Sequence, residues 1–95
     1  MAVEWADSAD KHNIPHEDAL HAVFNATWHV SGFEPTRIPG GIDPDGWIGP
    51  GRDGAELEVF AELGPAPRVF IFHVMPAREK TRQKFRQIMN RRKKP

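Results

Sequence analysis

The chain has 95 residues, 39% apolar and 27% charged, with no cysteine and a formal net charge of zero. That length supports one domain with a modest core; the composition excludes disulfides, thiolate catalysis and thiolate metal sites, and no apolar run approaches the roughly 20 residues of a membrane span. The zero hides a segregation: residues 1–77 hold 4 Lys/Arg against 12 Asp/Glu, and residues 78–95 hold 9 against 1. Such an arrangement fits a basic surface for a polyanion, two complementary surfaces, or a solvated basic helix with a frayed tail.

The opening MAVEWADSADKH lacks the basic and apolar regions of a secretory signal, so a cytoplasmic location is expected. Val3 to Trp5 can start a short edge strand, and ADSADKH a helical turn capped by Asp7 or Ser8. From Pro15 to Ala26, Ala19, Leu20, Ala22, Val23 and Ala26 recur at helical spacing, with Glu17 and Asp18 in the first turn, where they favour the helix dipole. Thr27 to Val30 is β-rich and ends before Gly32, which predicts a strand. Residues 34–54 carry four prolines and six glycines, so a surface loop is expected, with a short strand at Trp47–Ile48. AELEVFAEL alternates, Leu57, Val59 and Ala61 against Glu56, Glu58, Phe60 and Glu62; the second set is expected to face water. GPAP makes a hairpin connection to RVFIFHVM, which is apolar on both faces as a central strand requires. Pro76 stops it. A helix near 78–90 follows, with Thr81, Phe85, Ile88 and Met89 as its apolar stripe. The pattern predicts an α+β domain over residues 1–90, in which an antiparallel sheet of about four strands carries an N-terminal and a C-terminal helix, followed by a basic tail at 91–95.

Five histidines invite a metal site, but Pro15 breaks the helical continuity between His12 and His16, and no catalytic-zinc signature occurs. GWIGPGRDG lacks the Lys-Ser/Thr of a phosphate-cradling loop. Ser8 and Ser31 are the only serines, and neither stands in a nucleophile elbow. The remaining constellation is cationic: Lys11, His12, Arg52, His73 and Arg78. RNA cleavage needs a group to take the 2′-hydroxyl proton, donors for charge building on phosphate oxygens, and an acid for the leaving oxygen. Imidazole serves the first or third need; lysine and the planar fork of arginine serve the second. Against this stand a locally hydrogen-bonded strand histidine at His73 and an Arg78 paired with Glu79 or Glu62.

The segments VEW, KHNIPHEDALHAVFN, WIG, DGAELEVFAEL and RVFIFHVMPAREKTRQKF follow the order of those in BrnT-like toxins, and the chain resembles that family over nearly its whole length. The resemblance implies a RelE-like fold and a bacterial type II toxin that cleaves RNA and inhibits growth. It also implies no metal or other cofactor and a cognate DNA-binding antitoxin joined in a hetero-oligomer; no membrane partner is expected, for want of a long apolar run. Lys11 and His12 match the family's Lys-His pair, and Arg78 matches the arginine before its basic helix. With His73 these form the expected catalytic set. Arg52, Lys80, Arg82, Lys84 and Arg86 are the expected RNA-binding residues. Asn13 replaces a usual glycine, Pro76 a serine, and Pro50 an arginine for which Arg52 is the candidate substitute. The alternative is a non-catalytic module of the same fold that binds nucleic acid or a protein. Arg78→Ala is expected to remove cleavage while leaving thermal stability nearly unchanged.

Overall fold

The structure is a computed structural model that describes residues 2–36, 39–64 and 68–93. These form β1 (Ala2–Trp5), a 3₁₀ turn (Asp7–Asp10), α1 (His16–Phe24), β2 (Trp28–Val30), β3 (Asp45–Pro50), β4 (Glu56–Leu63), β5 (Arg68–Pro76) and α2 (Glu79–Lys93). The strands make one sheet in the order β1-β5-β4-β3-β2. β1 runs parallel to β5, and the other pairings are antiparallel. The α+β class is therefore as expected, but the sheet is mixed and has a fifth strand, because Val3 to Trp5 pairs along the β5 edge. β5 is an interior strand, and β4 occupies the middle. The connection at residues 65–67 and the tail residues 94–95 lie outside the described residues.

Each face of the sheet carries one helix and one apolar cluster. On one side Ala19 and Ala22 of α1 pack with Trp47, Leu57, Val59, Ala61, Ile71 and Val74. On the other, Phe85 and Ile88 of α2 pack with Val30, Phe33, Ile48 and Phe60. Phe60 is therefore buried, and Glu58 beside it is 0% exposed. The expectation that this face of β4 meets water holds at Glu56, which is exposed, and fails at Glu58 and Phe60, where α2 returns across the sheet.

The expected loop at 34–54 is also corrected, since Asp45–Pro50 forms a strand whose residues 45–49 are buried. Its glycines mark close approach rather than a turn. A β-carbon on Gly46 would come within 2.5 Å of the Phe85 ring, and one on Gly49 within 2.2 Å of the Ala22 carbonyl oxygen. One glycine thus admits α2 and the other α1. α1 ends at Phe24, short of the expected Ala26, because the Thr27 N–H already bonds to the Ile48 carbonyl at 2.8 Å. The 3₁₀ turn follows Ala6 and has no side-chain cap. Neither Asp7 nor Ser8 serves that role. Asn13, where the resembled family has glycine, takes φ +57°, a left-handed conformation that asparagine tolerates better than most residues.

Candidate active site

The β4–β5 ladder contains a bulge. Phe60 faces His73 while the next residue, Ala61, faces Ile71, so Phe72 is the extra residue on β5. An extra residue resets the alternation of side chains. Phe70, Phe72, His73 and Met75 consequently all border a cleft on the α2 face. Regular alternation from Ile71 would have sent His73 to the α1 side. The bulge delivers this imidazole to the cleft, and no pattern in RVFIFHVM announces it.

The same stretch anchors the N-terminal turn. The Ala6 N–H donates to the Ile71 carbonyl at 2.8 Å, and the Ser8 hydroxyl donates to the Phe72 carbonyl at 2.6 Å. Lys11 and His12 follow directly and stand at the cleft wall. The His12 ring lies edge-on to His73, centroid to centroid 6.4 Å. From the opposite side α2 contributes Lys80, Thr81 and Lys84, with Arg78 at the strand-to-helix junction. The cleft holds about 1050 Å³. Lys11 and His12 near the start of the chain and His73 and Arg78 near its end line the cleft together.

Glu58 organises the cleft floor. Its carboxylate is fully buried and accepts hydrogen bonds from His73 Nε2 at 2.7 Å, the Arg78 backbone N–H at 2.9 Å, Arg78 Nε at 3.1 Å and Arg78 Nη2 at 2.6 Å. Burial pushes its pKa up, but the bonds from His73, from the Arg78 side chain and backbone, and from Thr81 outweigh it and hold the value at about 2. The ionised carboxylate holds Nε2 of His73 and leaves Nδ1 as the ring's second nitrogen. Phe60 stacks beneath that ring at 4.3 Å and 12°. In return Glu58 pushes the Arg78 pKa further up.

The other expected RNA-binding residues separate. Lys80 and Lys84 line the cleft, and Lys84 Nζ sits 5.2 Å from the Phe33 ring centre. Arg52 does not approach it. Arg52 lies on the α1 side, where Nε donates to Asp18 at 2.7 Å and Nη2 stands 3.8 Å from Glu17. Arg82 bonds to Glu56 at 2.6 Å, and Arg86 lies over Trp28 at 5.7 Å, both on the flank of α2 nearer β2. Among the described residues no three His, Asp or Glu side chains gather as a metal site, and no helix is long and apolar enough to cross a membrane.

The expected pairing of Arg78 with Glu79 or Glu62 is replaced by Glu58, which sequence reading missed. A signal existed: Glu58 shares its strand face with Phe60, and an aromatic residue alternating with carboxylates is poor company for open water. No protein-family model, curated protein or solved structure matches the chain.

Proposed function

We propose that the cleft cleaves RNA, as a ribonuclease toxin of the BrnT kind. The observation that carries this reading is the convergence of His12, His73, Arg78 and Lys11 around a buried carboxylate that fixes two of them. In the proposed step His73 Nδ1 removes the proton from a ribose 2′-hydroxyl. The freed oxygen bonds to the adjacent phosphorus and the bond to the 5′-oxygen breaks, leaving a 2′,3′-cyclic phosphate and a 5′-hydroxyl. His12 gives its proton to that leaving oxygen. Lys11 and the part of the Arg78 fork not engaged by Glu58 hold the phosphate oxygens where charge builds. Glu58 is a positioning residue: it holds the His73 tautomer and orientation, and it stabilises the imidazolium formed when the proton arrives.

Lys80 and Lys84 extend the cationic wall for flanking phosphates, and a DNA-binding antitoxin that covers the cleft would silence it. A second reading has one observation in its favour. Arg78 spends Nε and Nη2 on Glu58, which suits a module that binds RNA without cutting it. Regulated expression in bacteria, with growth and bulk RNA integrity followed together, separates the two. The ribonuclease reading expects growth arrest with RNA loss, both relieved by His73→Ala. Arrest with intact RNA supports the binding module, and neither effect rejects both.

A further inference from the structure

Three residues from His73 towards the start of β5, the cleft changes character. Phe70 lines it, partly exposed, and among the described residues belongs to neither apolar cluster. Its neighbour Phe72, by contrast, packs against the α2-side cluster. Directly opposite Phe70 on β4 stands Glu62, also in the cleft wall. Opposed residues on one sheet face have β-carbons about 4.5–5.5 Å apart. The Thr36 hydroxyl donates to Glu62 Oε1 at 3.4 Å and helps orient the carboxylate. A carboxylate is a poor lining for phosphate, and an aromatic ring outside the core adds little to the fold. Side by side they match a different part of a nucleotide.

We infer that Phe70 and Glu62 form a nucleobase subsite, in which an unpaired base stacks on the Phe70 ring and turns N–H donors towards the Glu62 carboxylate. This rests on the ribonuclease reading of the same cleft and specifies its substrate as single-stranded RNA with a preferred base. Every base has a face that stacks on an aromatic ring, but only an unpaired base exposes it. An ionised carboxylate only accepts hydrogen bonds. Guanine offers two adjacent donors, N1–H and N2–H, to its two oxygens, whereas uracil offers one N–H between two carbonyls that the carboxylate repels. Phe70 stands roughly 10 Å from His73 along the strand at most, so the selected base belongs to a nucleotide next to the cut. The lysines of the opposite wall supply the charge complement for the connecting phosphates.

The test uses the full chain and short 2′-O-methyl RNA strands, which cannot be cut: a uridine tract, the same tract with one central guanine, and the latter as a duplex. Fluorescence anisotropy gives the affinities. The guanine strand is expected to bind at least about tenfold tighter than the uridine tract and the duplex. Phe70→Leu should lower the guanine-strand affinity by about tenfold, with the melting temperature checked in parallel; Phe70→Trp should retain it. Glu62→Gln should remove the guanine preference while leaving the uridine tract unaffected. Equal affinities for the strands, or undiminished binding by Phe70→Leu, overturns the subsite. Cleavage of unmodified RNA by the wild-type chain is read separately. Cutting without base preference removes the subsite and keeps the ribonuclease; preference without cutting does the reverse. Failure of every strand to bind removes both and leaves the cleft to a protein chain.

Discussion

Two histidine–carboxylate pairs sit on opposite faces of the sheet and look alike at close range. His29 Nε2 lies 2.8 Å from Asp45 and its ring stacks on Trp47 at 4.8 Å and 8°. His73 Nε2 lies 2.7 Å from Glu58 and its ring stacks on Phe60 at 4.3 Å and 12°. The difference is in what surrounds them. Asp45 spends its other oxygen on the Gly32 backbone N–H, which ties the loop after β2 to β3, and the His29 side chain is 49% exposed. Glu58 has no exposed surface, adds an arginine to its partners and lies behind His73 and Arg78, which line a cleft together with Lys11, His12, Lys80 and Lys84. A hydrogen-bonded imidazole is therefore not a site by itself. The second imidazole and the surrounding cations separate a structural pair from a proposed catalytic one.

The sharpest way to break this contrast is to remove the arginine. Arg78→Ala leaves Glu58 buried and short of its charge partner; because the Arg78 side chain is itself 34% exposed, the loss should fall below the about 3–5 kcal/mol of a fully buried pair. Chemical denaturation should show that loss. The sequence-based expectation of unchanged stability is thus reversed, and cleavage assays of this variant need a folded-fraction control. Arg52→Ala, at the exposed pair with Asp18, should leave the melting temperature close to wild type. Equal behaviour of the two variants would remove the special standing of Glu58.

Acid sharpens it further. The folded Glu58 pKa is depressed from 4.5 to about 2, so between those values the unfolded chain binds more protons. Its contribution, on the order of 3 kcal/mol, is fully present above the unfolded pKa and is lost as pH falls through about 2. Urea titrations on either side of pH 4.5 should show stability declining on the acid side, and Glu58→Gln should flatten that decline even though it lowers stability at neutral pH. A decline of equal slope in both proteins would assign it to other carboxylates.

The smallest effect concerns the cleft wall. Lys80→Ala and Lys84→Ala should each reduce the slope of log affinity for single-stranded RNA against log salt by roughly 0.7, while Arg52→Ala leaves it unaltered. If Arg52→Ala flattens the slope and the lysine variants do not, the RNA path crosses the α1 side instead.

Much of this architecture was legible in the sequence, for identifiable reasons. α1 and α2 follow from apolar residues at helical spacing, and β5 from an apolar run too long for an edge. Two features were hidden. The strand at Asp45–Pro50 was legible only at Trp47–Ile48, because Gly46 and Gly49 carry the marks of a turn, although each is a glycine to let a helix approach. The bulge at Phe72 has no sequence mark, and without it His73 projects to the wrong face. Alternation alone makes Glu58 a water-facing residue, because it does not say what crosses the sheet afterwards. Among the expected RNA contacts, helical spacing put Lys80 and Lys84 on one flank of α2 and Arg82 and Arg86 on another, but only the position of the cleft says which flank matters.

The most direct test sets the two histidines against each other. Single-turnover cleavage of a guanine-containing RNA is measured with wild type, His73→Ala and His29→Ala, and product ends are identified. Wild type is expected to give cyclic-phosphate ends, His73→Ala to lose about 10²–10⁴ in rate with its fold retained, and His29→Ala to keep the wild-type rate. Equal rates for the two variants, or full activity in folded His73→Ala, would contradict the proposed role of His73.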